Sequence, residues 1–179
     1  MMFWRQRRSA PGKQTAAGME APKPGISSLT DHTARLTAFG NQLIQVHIWL
    51  RDQLARLRAN AESGLPRELR THCLTFCSAL TRHHTGEDAG AFPALAEQFP
   101  ELKPVLTELE NDHEIVAGIM RRLEELFDQD ADAATISREL DGLTALLESH
   151  FYYEEKKIVA ALNALTWTGP KPEFLRTDD

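Results

Sequence analysis

Apolar residues recur at intervals of three, four and seven positions through four stretches of the chain, and this spacing predicts four α-helices. Gly, Pro or Asp residues separate the stretches and predict short connections between them. The predicted helices cover about residues 28–60, 66–88, 104–128 and 133–165, with a kink at Pro93 where the second extends towards Gln98. Four long helices with short connections predict an all-α fold, an up-down antiparallel four-helix bundle.

The charge of the chain is uneven. The net charge is −6, but residues 1–26 carry five basic residues against one acidic residue. Because residues 1–27 also lack an apolar period, we expect a disordered basic N-terminal extension there, with a helix N-cap at Ser28 and Asp31. The bundle then occupies residues 28–165, and residues 166–179 form a C-terminal tail.

Composition excludes several classes of function. The acidic body should repel phosphate backbones, so we expect no nucleic-acid partner. No apolar run is long enough to span a membrane, and Arg5–Arg8 lacks the apolar stretch of an export signal. The two cysteines, Cys73 and Cys77, do not form a disulfide framework and predict core filler in a reduced, cytoplasmic protein. The sequence leaves the oligomeric state open.

A short pattern occurs twice in the chain. His83-x-x-x-Glu87-Asp88 and His150-x-x-x-Glu154-Glu155 each place a histidine and a glutamate four positions apart, on one helical face. Each copy follows a single histidine, His47 by 36 residues and His113 by 37. The four predicted helices therefore direct four imidazoles and two carboxylates towards the bundle axis.

Such a cluster predicts a pair of metal ions. A buried polar group without a partner costs about 1–3 kcal/mol, and an unpaired charge costs more. Imidazole and carboxylate donors together suit iron, manganese or zinc. We expect Glu87 and Glu154 to bridge two ions about 3.5–4 Å apart. The predicted terminal ligands are His47, His83, His113 and His150, two for each ion.

The ordered set of motifs resembles the haemerythrin family, specifically its bacterial HHE cation-binding branch, over about residues 28–165. The matching elements are His47 before Ile-Trp-Leu-Arg, His83-x-x-x-Glu87-Asp88 before Phe92-Pro93, His113, and His150-Phe151-x-x-Glu154-Glu155. The resemblance implies a non-haem di-iron centre, oxo- or hydroxo-bridged, that binds oxygen species. Manganese and zinc are less favoured.

The sequence departs from oxygen-carrying haemerythrins, which supply five histidines. The third helix offers only His113, because Leu109 and Ala117 one turn away cannot bind a metal. This departure implies an open or water-filled position on one ion, which favours reaction with peroxide or nitric oxide over reversible oxygen carriage. Glu110 and Tyr153 are possible substitute ligands.

Other residues near the two copies have different expected roles. Because His84 lies about 100° around the helix from His83, we expect it outside the ligand set. Asp88 and Glu155 are expected to orient histidines or lie at the surface. Gly86, opposite Tyr153 in the repeat, is expected to leave space for a small ligand.

Two functions follow from these residues. The first is a di-iron protein that binds or reacts with dioxygen, peroxide or nitric oxide in sensing, storage or stress defence. The alternative is a di-iron enzyme with catalase-like peroxide disproportionation. Ferritin-like oxidation is disfavoured, because Glu110-x-x-His113 has no counterpart at Leu147, three residues before His150. A bundle without metal is the remaining reading.

Overall fold

The computed structural model describes residues 38–63, 66–167 and 172–177. These residues form helices and no strand, so the predicted all-α fold is confirmed. The helices are α1 (Phe39–Ser63), α2 (Pro66–Gly86), α3 (Phe92–Gln98), α4 (Lys103–Asp128) and α5 (Ala133–Ala164). A π-helical turn (Glu87–Ala91) joins α2 to α3, and short 3-10 turns lie at Pro100–Leu102 and Glu173–Leu175. The predicted extension and the Ser28 cap fall outside the described residues.

The four long helices, α1, α2, α4 and α5, are antiparallel to their neighbours. In every interface, contacts pair rising residue numbers on one helix with falling numbers on the other. The pairs are Asn60–His72 and His47–His83 for α1–α2, Arg58–Asp141 and His47–Glu155 for α1–α5, Arg70–Asp128 and His84–His113 for α2–α4, and Arg122–Glu139 and His113–His150 for α4–α5. This is the up-down bundle that the sequence predicted.

The predicted kink at Pro93 takes the form of the π-helical turn. Proline has no amide N–H and disturbs the preceding helical turn. The chain widens before it, and the amide of Phe92 donates to the carbonyl oxygen of Glu87, five residues back. The turn therefore begins at Glu87, one of the six predicted ligands.

Two apolar clusters fill the bundle, and a belt of buried polar side chains lies between them. The first cluster includes Leu50, Leu57, Leu123, Leu140 and both free, buried cysteines, as predicted for core filler; the second includes Leu43, Phe92, Leu109, Ile158 and Phe174. On α1, α4 and α5 the site histidine lies between residues of one cluster and residues of the other, and after His83 of α2 the chain reaches the second cluster at Ala91, in the π-helical turn. Burial of both clusters therefore fixes the depth of the belt.

The C-terminal residues pack on the bundle. Phe174 and Leu175 are buried in the second cluster, and the backbone of Phe174 passes close to α2 at Gly86. This contact was not predicted from the sequence, because residues 166–179 were expected to form a C-terminal tail. Trp167 packs edge-on against Phe39, with ring centroids 6.1 Å apart. None of the described helices combines the length and apolar character needed to cross a bilayer.

Two glycines provide a matched test of the helix packing. A Cβ atom at Gly40 would overlap the carbonyl oxygen of Val159 on α5, whereas one at Gly142 meets no atom within 4 Å. We expect Gly40→Ala to lower the free energy of unfolding by about 1–3 kcal/mol through overpacking. Gly142→Ala should raise it by about 0.5–1 kcal/mol, because alanine is the better helix former. Chemical denaturation measures both; equal effects would contradict the close approach of α1 and α5.

Candidate metal centre

The six predicted ligands lie together in the buried belt. They are His47, His83, Glu87, His113, His150 and Glu154, none of them more than 4 % exposed. Each of the long helices contributes at least one, and the π-helical turn contributes Glu87. The spacing of His and Glu four residues apart thus places both groups of each copy in the same buried belt.

The four imidazoles form two pairs. In the α1–α2 pair, the Nε2 atoms of His47 and His83 are 3.1 Å apart. In the α4–α5 pair, the Nε2 atoms of His113 and His150 are 3.2 Å apart. All four Nε2 atoms therefore face the interior of the bundle.

The two carboxylates connect these pairs. Glu87 places Oε1 3.4 Å from Nε2 of His83 and Oε2 3.6 Å from Nε2 of His113. Glu154 places Oε2 3.2 Å from Nε2 of His47 and 3.6 Å from Nε2 of His150. Each carboxylate thus contacts one imidazole of each pair.

The opposite ring nitrogens are held from outside the belt. Each Nδ1 lies within hydrogen-bond distance of an oxygen that can only accept, which favours the neutral tautomer with its proton on Nδ1 and its lone pair on Nε2. The partners are Glu155 for His47 (2.9 Å), the carbonyl oxygen of Phe174 for His83 (2.9 Å), Asp88 for His113 (2.8 Å) and Asp112 for His150 (3.2 Å). Such outer partners fix the orientation of metal-binding histidines.

Two of these partners were expected and two were not. Asp88 and Glu155 directly follow the His-x-x-x-Glu copies, so the sequence suggested them. Asp112 precedes His113 but contacts the histidine of another helix, and Phe174 contributes only a backbone oxygen. No local pattern reports either contact, since both depend on how distant segments pack.

His84, expected outside the ligand set, lies inside the buried belt. It is only 4 % exposed, and its ring stacks on His113 with centroids 3.9 Å apart and planes 6° from parallel. The reason is that α2 packs against both α1 and α4. Successive residues of a helix are about 100° apart, so His83 faces His47 on α1 while His84 faces His113 on α4.

The structure also differs from the sequence analysis at three other positions. Glu110 is exposed on α4, and the hydroxyl of Tyr153 donates to Glu108, so neither substitute ligand points into the belt. The space beside Gly86 is taken by the chain itself, because a Cβ atom there would lie 2.7 Å from the backbone nitrogen of Phe174. That glycine admits the C-terminal segment rather than a small ligand.

Burial and mutual contacts shift the proton affinities of the cluster. Burial, with the nearby Glu154, raises the pKa of Glu87 well above its ordinary value. Burial also opposes ionisation of Glu154 and His47, but their contact prevails, so the pKa of Glu154 falls and that of His47 rises. Burial and the neighbouring His47 lower the pKa of His83 to about 3. The pKa values of His84 and His150 are lowered, chiefly by burial.

A positive charge or hydrogen-bond donors would stabilise the two buried carboxylates. None of the four oxygens of Glu87 and Glu154 has a hydrogen-bond partner among the described residues, although all are buried. Metal–nitrogen and metal–oxygen bonds of about 2.0–2.2 Å place two ligands of one ion roughly 3 Å apart. The distances of 3.1–3.6 Å between these donor atoms fit that requirement. The residues present therefore suit a cation.

A cavity of about 150 Å³ reaches the site from one side. His84, His113 and Asp88 line it together with the exposed residues Thr81, Thr85 and Glu114. It brings solvent-accessible space up to the side chains of His84 and His113.

Comparison with known proteins adds one match. A family model described as the Hemerythrin HHE cation binding domain matches residues 40–162, which is more than half of the chain. Neither a curated protein nor a solved structure gives a significant match. The matched range includes all six predicted ligands.

The pKa shifts predict that binding of a divalent cation releases protons and weakens as pH falls. His47 and Glu87 have raised pKa values, so protons compete with the cation for their donor atoms up to a higher pH than usual. Zinc titration by calorimetry between about pH 5 and 8, in buffers of different ionisation enthalpy, measures both effects. Binding without proton release, at an affinity independent of pH, would contradict ligation by these residues.

Proposed function

The chain belongs to the haemerythrin HHE cation-binding family, and on that premise we propose that it holds two iron ions in the buried belt. We propose that this di-iron centre binds or reacts with a small oxygen or nitrogen species, namely dioxygen, peroxide or nitric oxide. Sensing, storage or stress defence are the roles that such chemistry serves.

One observation carries the proposal: Glu87 and Glu154 each contact one imidazole of each pair. Two carboxylates in that position suit two adjacent cations, which they would share. The α1–α2 pair would bind one ion and the α4–α5 pair the other. The terminal ligands are then His47 and His83 on one side and His113 and His150 on the other.

The donor set suits iron. It contains imidazole and carboxylate groups and no thiolate, because Cys73 and Cys77 lie in the first apolar cluster. Mixed nitrogen and oxygen donors suit iron, with manganese and zinc as alternatives. A ferritin-type site is not favoured, since Glu110 of its single Glu-x-x-His element is exposed.

The surrounding residues have three tasks in this proposal. The Nδ1 partners hold each imidazole with Nε2 inward, so ligation needs little rearrangement. The two apolar clusters keep bulk water from the belt, and the cavity beside His113 admits only small molecules. A bound iron pair would supply redox-active cations next to that cavity.

Replacement of the adjacent glutamates on α5 tests the register of the ligands. We expect Glu154→Ala to lose most of the bound iron, because Glu154 is the residue in contact with both histidine pairs. Glu155→Ala should weaken binding by about 10–100-fold, as for an outer partner of a ligand. Asp141→Ala is the control, since Asp141 is exposed on α5 and pairs with Arg58, which does not contact the site.

Iron per folded chain, measured by elemental analysis after equilibrium dialysis, distinguishes the three variants, and circular dichroism checks that each is helical. Equal losses in Glu154→Ala and Glu155→Ala would show that the bridging assignment is wrong.

The cavity beside His113 also favours the alternative, a di-iron enzyme that disproportionates peroxide, because a peroxide molecule fits within about 150 Å³. Iron-loaded protein should show near-ultraviolet charge-transfer absorption that zinc-loaded protein lacks, and this absorption should change when nitric oxide or peroxide is added. Oxygen release after peroxide addition then separates the two functions.

An oxygen electrode measures that release against an equal amount of free iron. Release no faster than free iron, together with a spectral change, supports the binding function. Sustained release that Glu154→Ala abolishes supports the enzyme. Iron-loaded protein with no spectral response to any of the three species would contradict both.

A further inference from the structure

We propose that His84 is a seventh ligand of the metal centre and donates a ring nitrogen to the ion held by the α4–α5 pair. This inference rests on the proposed function, since it concerns the same metal centre. It assigns a role to a residue that lies within the first His-x-x-x-Glu copy but is neither the histidine nor the glutamate of that pattern.

The position of His84 carries the inference. Its ligating nitrogen and those of His113 and His150 lie within 4.8 Å of one another, and all three side chains are buried. Nε2 of His84 is buried without a hydrogen-bond partner among the described residues. Because the His84 ring now lies parallel to that of His113, it would have to rotate out of the stack to donate to an ion bound by His113 and His150.

The neighbours of His113 argue against a role in packing alone. The ring of Phe92 packs against the ring of His113 with centroids 5.6 Å apart. The ring of His84 stacks on the ring of His113 with centroids 3.9 Å apart. If packing were the only requirement at residue 84, an apolar ring such as that of Phe92 would meet it without burying an unpaired nitrogen. The buried nitrogen indicates a partner that accepts a lone pair.

His84 would replace the histidine that α4 lacks by comparison with oxygen-carrying haemerythrins. Leu109 and Ala117 leave His113 as the single imidazole of α4, but His84 approaches the same position from α2. The α4–α5 ion would then have three nitrogen donors and the α1–α2 ion two. The ion with fewer nitrogen donors is therefore the one bound by His47 and His83.

Two variants separate ligation from packing. His84→Phe keeps an aromatic ring against His113 but offers no donor, and His84→Ala removes the ring. We expect wild-type protein to bind two cobalt(II) or zinc ions per chain. Both variants should keep the ion of the α1–α2 pair and bind the other at least about 10–100-fold more weakly.

The matched control is His72→Phe, on the same helix. His72 is exposed and contacts Asn60, so this variant should bind two ions as the wild type does. His84 lines the cavity, which lets free imidazole reach the space left in His84→Ala. Added imidazole should restore the second ion in His84→Ala but not in His84→Phe, where the ring fills the space.

Elemental analysis and the visible spectrum of bound cobalt(II) give the stoichiometry and the change in ligation, and circular dichroism confirms folding. Two ions bound by folded His84→Phe with wild-type affinity and spectrum would overturn the role of His84 and leave the di-metal centre standing. A wild-type chain that binds no pair of ions would overturn the di-metal centre itself. If His84→Ala does not fold, His84→Phe alone decides between these results.

Discussion

Two buried carboxylates that have no hydrogen-bond partner in the described part of the chain are the main constraint on this structure. Glu87 and Glu154 are fully buried, and each lies between an imidazole of the α1–α2 pair and one of the α4–α5 pair. Such groups are costly in an apolar interior unless a positive charge lies next to them. The belt is tolerated because six polar groups converge there, and a shared pair of cations would satisfy all of them together.

The orientation of the belt depends on contacts outside it. His83 is held by a backbone carbonyl of the C-terminal segment, and the close passage of that segment requires Gly86. Glu155 holds His47 and also pairs with Arg51, whose guanidinium lies over the ring of Phe151. These contacts thus join the candidate metal centre to α1, α5 and the C-terminal residues, so a change in their packing alters the position of the Nε2 atoms.

The π-helical turn links backbone geometry to the site. It begins at Glu87, ends before Pro93 and includes Asp88, which holds His113 on α4. A wider turn changes the angular relation between residues before and after it. Glu87 reaches both histidine pairs from this turn, whereas Glu154 does so from a regular helix. The two copies of the motif are therefore alike in sequence but not in backbone.

The sequence by itself determined the helices, the family and the six converging residues, because apolar periodicity and the spacing of His and Glu four residues apart are local properties of a helix. Only the tertiary structure decided that His84, Asp112 and Phe174 contact the site histidines. It also decided that Glu110 and Tyr153 lie outside the belt. These positions depend on which helices are neighbours and on where the C-terminal segment returns. Contacts between residues distant in the chain arise from packing the whole bundle, which no local spacing encodes.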